Sequence, residues 1–266
     1  MAIHKYNEYD LSYYTYGDGE MALLFIHGLG GNGSVWKYQV EYFRDRFTVV
    51  TVDLFGHGAS SKDVDPTFVP ELDAAAINDL MQNKINKPYF AIGHSFAADV
   101  LPEMIRLHDP NLKSVVFVDC AYHHNETIIE TRIKFAEQML VFPDSQIGAA
   151  TDKWYLDMLS ATPEVDEAEF VLSSLKDCDP RWLFKSIIGC REREKKHPHK
   201  QTPIPDNLPV FVIEAGFGVG MEIEKSWVNH FKNAEYYLIE RGYHFLFVTE
   251  RDKFNFIINR FFSENG

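Results

Sequence analysis

Short runs of β-branched and aromatic residues alternate along this chain with longer stretches in which apolar positions return every three or four residues. Residues 22–27, 48–53, 89–94, 114–119, 209–214 and 234–240 each read as a strand. Strands alternating with helices in this way predict an α/β fold, a mostly parallel, doubly wound central sheet covered by helices on both faces. Ahead of that pattern, residues 6–16 with the turn Gly17-Asp18-Gly19 read as an antiparallel hairpin. The first five core strands each run into a loop with a polar or glycine signal. Ligands in open α/β sheets gather at the carboxyl ends of the strands, so that edge is where chemistry is expected.

The strand spacing is even as far as Asp119, after which about ninety residues pass before the next strand. This interval carries helical patterns at 126–141, 153–160, 165–176 and 181–190, then returns through Pro198, Pro203 and Pro205. The pattern predicts a helical cap over residues 120–208, inserted after the sixth strand, on a core made of residues 1–119 and 209–266.

Of the 266 residues, 45% are hydrophobic and 24% charged, an ordinary globular composition that excludes a disordered or fibrous chain. The formal charge of −13 works against nucleic acid and anionic membrane as partners, since both need clustered Lys and Arg. The one basic run, 191–200, is mixed with Glu192 and Glu194, sits beside Pro198, and reads as a solvated loop. Cys120, Cys178 and Cys190 are odd in number and irregular in spacing, so they frame neither a disulfide set nor a zinc site. No stretch reaches the ~20 apolar residues of a membrane span, and the first residues lack a signal-peptide pattern. The expectation is a cytoplasmic protein acting on a small molecule, with no cofactor implied.

At Gly93-His94-Ser95-Phe96-Ala97 an apolar strand meets a helix that begins at about Phe96. A serine hydroxyl is a weak nucleophile in water, and enzymes that use one hold it on a sharp strand-to-helix turn beside a base. Such a turn needs small flanking residues. Gly93 meets this in full, and Ala97 stands where a second glycine is more usual. Ser95 is therefore the candidate nucleophile, with His94 beside it as a pocket residue. Strand 22–27 runs into Gly28-Leu29-Gly30-Gly31, whose glycines let backbone N–H groups come close to a ligand. The N–H groups of Leu29 and Phe96 are the candidate oxyanion-hole donors. His27 reads as a structural brace of that loop.

Of eleven histidines, His244 is best placed for a general base, in a loop at the carboxyl end of strand 234–240. His108, His197, His199 and His230 fall on helical or linker positions and read as surface residues. His123 and His124 open the cap. As neighbours they make a poor metal pair, so no metal is implied, and His123 is a pocket candidate.

Four stretches together resemble the α/β-hydrolase family over nearly the whole chain: His27-Gly28-Leu29-Gly30-Gly31, Asp53-Leu54-Phe55-Gly56-His57-Gly58-Ala59-Ser60, the Ser95 turn, and Gly242-Tyr243-His244. The resemblance implies the α/β-hydrolase fold and a Ser-His-acid triad. In the family the acid usually lies in a Gly-x-x-Asp loop after the next-to-last core strand; here Gly218 stands at the aspartate's place. A subset of the family carries the acid directly after the strand preceding the cap, where this chain has Asp119. Asp119 is thus the first candidate and Glu214 the alternative. Asp53, in what resembles the family's structural turn, reads as a loop brace.

Serine in place of a nucleophilic aspartate argues against the epoxide-hydrolase and dehalogenase chemistry that resembles this fold. What remains is acyl transfer to water, the cleavage of an ester, lactone or related acyl bond through an acyl-enzyme. Trp154, Tyr155, Met158 and Trp182 of the cap are pocket candidates and suggest a medium-sized hydrophobic substrate. The scaffold resembled here also serves non-hydrolytic lyases, carbon–carbon bond hydrolases and slow ligand receptors, which turnover on a substrate panel separates.

Overall fold

Eight strands, β1 (Ala2–Tyr6), β2 (Tyr9–Tyr16), β3 (Ala22–Ile26), β4 (Thr48–Asp53), β5 (Tyr89–His94), β6 (Leu112–Val118), β7 (Val210–Ala215) and β8 (Ala234–Ile239), form one sheet in the computed structural model. The structure describes residues 1–120, 126–159, 164–175, 177–196, 207–217, 228, 231–232 and 234–265. Their order across the sheet is β1-β2-β4-β3-β5-β6-β7-β8. All pairs from β4 to β8 are parallel, whereas β2 is antiparallel to both β1 and β4. Because β3 lies between β4 and β5, the chain winds away from β3 in opposite directions. The carboxyl ends of β3 and β5 therefore flank the crevice where such sheets bind ligands.

The strand alternation divides the core in two. Leu23 and Phe25 of β3 point to one face and Ala22, Leu24 and Ile26 to the other, all fully buried. The second face is covered by α2 (Val69–Leu80) and α3 (Ala97–Arg106), through residues such as Ile77 and Leu101. On the first lie α1 (Lys37–Phe43) and the last helix, whose Phe262 stacks on Phe90 of β5 at 4.6 Å between ring centres. Among the described residues, four helices lie between β6 and β7: α4 (Glu126–Leu140), α5 (Asp144–Leu159), α6 (Val165–Ser174) and α7 (Pro180–Lys196). Their buried Tyr155, Leu159, Val171 and Phe184 join the first core. The last helix is α8 (Arg251–Asn265).

Three sequence expectations are corrected. The N-terminal hairpin is β1 with β2, closed at Asn7-Glu8 and not at Gly17-Asp18-Gly19, with Asn7 at φ 53, a left-handed conformation that asparagine tolerates. Helix α5 starts nine residues before position 153, at Asp144, directly after Pro143. The basic run is no loop from 191 to 196: α7 continues through it, because the Arg193 side chain is buried in an ion pair with Asp99 of α3. His123, His124, His197, His199, Gly218, His230 and the segment of Pro198, Pro203 and Pro205 lie outside the described residues. Among the described residues no helix is long and apolar enough to cross a membrane.

Candidate active site

Strand β5 ends at His94 and α3 begins at Ala97, so Ser95 and Phe96 make the entire turn. Ser95 takes φ 52, a left-handed backbone that non-glycine residues rarely adopt. Neighbouring groups hold it there. Its N–H donates to the Val118 carbonyl at 3.1 Å and its carbonyl accepts from the Ala98 N–H at 3.0 Å. A Cβ on Gly93 would lie 2.5 Å from the Cβ of Ala97, so the turn excludes any side chain at 93 and leaves room only for a methyl at 97.

Asp119 follows β6 with φ 43 and is fully buried. Its N–H donates to Ile213 at 2.8 Å, and its Oδ1 accepts the Ala215 N–H at 3.2 Å, so β7 fixes the carboxylate. The other oxygen, Oδ2, accepts from Nδ1–H of His244 at 2.5 Å. A carboxylate at Nδ1 keeps the proton there and leaves Nε2 as an acceptor. Nε2 lies 3.0 Å from the Ser95 hydroxyl, which donates to it. Both ring nitrogens of His244 are thereby engaged. Glu214, also buried, accepts instead from the Tyr236 hydroxyl at 3.3 Å, so the structure brings Asp119, and not Glu214, to this histidine.

The backbone of His244 is tied as well. Its N–H donates to the Met158 carbonyl of α5 at 3.2 Å, and its carbonyl accepts from Nε2–H of His94 at 2.9 Å. Burial pushes the His94 imidazole well below its ordinary pKa, with the His244 ring a lesser cause, so His94 is a neutral donor.

The glycine loop after β3 is braced by two further neutral histidines. His27 donates from Nδ1 to the Gly28 carbonyl at 2.7 Å and accepts the Leu54 N–H at Nε2, at 3.0 Å. His57 donates from Nδ1 to Phe55 at 2.9 Å and accepts the Gly30 N–H at Nε2, at 2.9 Å. Burial lowers the pKa of both. Asp53 holds the Gly33 and Ala59 N–H groups at 2.8 and 2.9 Å. From α5, the Tyr155 hydroxyl donates to the Leu29 carbonyl at 2.6 Å. The N–H groups of Leu29 and Phe96 donate to no protein acceptor among the described residues. Two N–H groups left open beside one serine, on residues that line the cavity, can serve a ligand.

These groups open on a cavity of about 90 Å³. Gly28, Leu29, Ser95, Phe96 and His244 form its polar end, while Phe135, Trp154, Met158 and Ile187 line it from the helices between β6 and β7. Of the sequence-derived pocket candidates, His94, Trp154, Tyr155 and Met158 line this space. Trp182 does not. Its indole N–H donates to Val64 at 3.0 Å and its ring stands edge-on to His57, 5.2 Å away, so it packs the helices onto the Gly56 turn. His123 lies outside the described residues. The sequence reading missed Asp99, Arg132 and Arg193 as lining residues. Among the described residues no group of three or more His, Cys, Asp or Glu side chains is arranged to hold a metal ion.

The profile of the alpha/beta hydrolase fold family matches residues 22–154, half of the chain, and the chain belongs to that family. Over 75 residues it is 41% identical to 3-oxoadipate enol-lactonase 2 of Acinetobacter baylyi, which covers 27% of this chain and 28% of that one. The curated relatives it matches first are covered over less than a third of their length. Among solved structures, the enol-lactonase from Burkholderia xenovorans superposes with a TM-score of 0.78 at 16% identity, over 98% of this chain and 100% of that one. A thermophilic esterase from Thermogutta terrifontis gives 0.76 at 17% identity, over 96% and 94%. At these identities the two structures share the fold.

Proposed function

We propose that this chain is a serine hydrolase that cleaves an ester or lactone of a small molecule through an acyl-enzyme. One observation carries the reading: Ser95 Oγ, the two ring nitrogens of His244 and Asp119 Oδ2 form one hydrogen-bonded chain, with spacings of 3.0 and 2.5 Å, beside the cavity. The names of the enol-lactonase and esterase relatives support the substrate class.

In the reaction, Ser95 Oγ attacks the carbonyl carbon as its proton passes to His244 Nε2. Charge gathers on the carbonyl oxygen, where the Leu29 and Phe96 N–H groups receive it. Asp119 stabilises the imidazolium. His244 returns the proton to the leaving alkoxide, the C–O bond breaks, and the acyl group stays on Ser95. Water then gives a proton to His244 and attacks the acyl carbon, and Ser95 leaves with that proton. Helices α4 to α7 act as the cap of a core made of residues 1–119 and 209–266, keeping bulk water from these steps. The buried free thiols of Cys120 and Cys178 suit the cytoplasm.

The test is turnover of an aryl-ester and lactone panel by wild type and Ser95→Ala, with fluorophosphonate labelling. Wild type should reach about 1–1000 turnovers per second on a good substrate. Ser95→Ala should lose about 10⁴-fold or more and all labelling, with its melting curve unchanged. Undiminished hydrolysis by Ser95→Ala refutes the reading.

A further inference from the structure

His94 is the last residue of β5, a strand paired on both sides, with β3 and with β6. It is 2% exposed, and its side chain meets several parts of the site at once. Its Nε2–H donates to the His244 carbonyl at 2.9 Å, and the two imidazole rings lie 4.4 Å apart between centres. On the Nδ1 side stands the glycine loop after β3: a Cβ on Gly28 would lie 2.8 Å from that nitrogen and 3.1 Å from Cβ of Ser95. Phe247, in the short helix that follows His244, makes a T-shaped contact with the ring at 4.8 Å. Ser95 itself is the next residue in the chain.

The second observation is where His244 stands. It lies five positions beyond the end of β8, so the ladder between β7 and β8 does not reach it. Asp119, after β6, holds its ring at Nδ1, and His94, at the end of β5, holds its carbonyl. These two ties, one on the side chain and one on the backbone, come from neighbouring strands of one sheet. A residue pinned at both ends cannot swing about either, and the direction of its Nε2 is set. A donor lost at position 94 would leave the buried His244 carbonyl unpaired, which the loop relieves by moving. A shift of about 1 Å between reacting groups costs on the order of a hundredfold in rate.

We infer that His94 is a positioning residue for the general base: its hydrogen bond to the His244 carbonyl sets the distance and angle at which His244 Nε2 meets Ser95 Oγ. This rests on the reading of Ser95 and His244 as nucleophile and base. It gives His94 a different task from that of the cavity wall around it. A wall residue acts on substrate binding and is felt in KM, whereas His94 acts through His244 and is felt in kcat.

Glutamine and methionine are close in length and shape and differ in the terminal N–H donor, so His94→Gln and His94→Met separate the hydrogen bond from the packing. Steady-state kinetics on one aryl ester and the rate of fluorophosphonate labelling are the readouts. His94→Met should lower kcat by about ten- to a hundredfold with KM within about threefold of wild type, and the labelling rate should fall by a similar factor. His94→Gln should recover most of that loss, to within about fivefold of wild type. If His94→Met fails to fold by circular dichroism, His94→Asn replaces it, since its amide is one methylene too short for the carbonyl. A raised KM at unchanged kcat, wild-type kcat in the variant without the bond, or equal losses in that variant and His94→Gln overturns the proposal. The nucleophile is judged separately, by Ser95→Ala. Wild-type turnover by His94→Met beside an inactive Ser95→Ala removes the positioning role alone, whereas an active Ser95→Ala removes the reading beneath it.

Discussion

The Tyr155 hydroxyl donates to the Leu29 carbonyl at 2.6 Å, across 126 positions of sequence. Burial holds the Tyr155 pKa well above its ordinary value, so the hydroxyl stays protonated throughout the working pH range. The bond fixes the peptide next to the Leu29 N–H, one of the two proposed oxyanion donors. Tyr155→Phe should therefore lower kcat by about ten- to a hundredfold while KM moves less, since a misplaced donor is felt most in the transition state. Steady-state kinetics on one aryl ester would show it. An unchanged kcat would mean that the loop holds its shape without the hydroxyl.

Asp119 and Glu214 are both buried carboxylates, and only Asp119 touches His244. Asp119→Asn should cost about 10⁴-fold in kcat, because an amide in place of the carboxylate disfavours the tautomer with Nε2 free. Glu214→Gln should stay within about tenfold of wild type, its partner being Tyr236. Equal losses in both variants would count against the assignment.

Gly93 faces Ala97 so closely that an added methyl would lie 2.5 Å from Cβ of Ala97 and 2.9 Å from Leu101. Gly93→Ala should destabilise the fold by about 1–3 kcal/mol, read as a lower urea midpoint at constant slope. Ala97→Gly added to it should recover part of that loss, a coupling that a double-mutant cycle measures. Additive effects would show that Ala97 is not the obstacle.

His27, His57 and His94 are buried, and burial lowers the pKa of each. In the unfolded chain they take up protons near pH 6.5, while in the folded state they resist until lower pH, so below 6.5 the unfolded state binds more protons. The stability they confer is complete above pH 6.5 and is lost as pH falls below it. Each histidine adds a slope of up to about 1.4 kcal/mol per pH unit. Denaturant titrations between about pH 5 and 8 should trace this, and His57→Gln should reduce the slope by about one proton. A flat profile would contradict the burial of these rings in neutral form.

The parts of the site that were legible in the sequence are those whose local backbone demands particular residues. Ser95 could be found because a strained turn needs Gly93 before it and a small residue after it, Asp119 because it directly follows β6, and His244 because it lies in the loop after β8. Arg193 was not legible. Its burial depends on Asp99, 94 positions away, and nothing in a basic run shows which arginine finds a carboxylate in space. Trp182 failed for a related reason, since helical spacing does not say whether an aromatic ring faces a cavity or a neighbouring turn. Strand β1 escaped notice because it lies at the sheet edge with most of its residues exposed, so it carries little apolar pattern. The start of α5 was hidden by Gly148, Ala149 and Ala150, which add little to an amphipathic stripe.

Helix α5 gives a hydroxyl to the loop after β3 and accepts, at Met158, the N–H of the residue that faces Ser95. The segment between β6 and β7 is therefore not an interchangeable module. A chimera that grafts a relative's helices onto this sheet must supply a donor at the Tyr155 position and a carbonyl at the Met158 position. Divergence toward new substrates can thus proceed freely along the apolar wall while these two anchor points stay fixed.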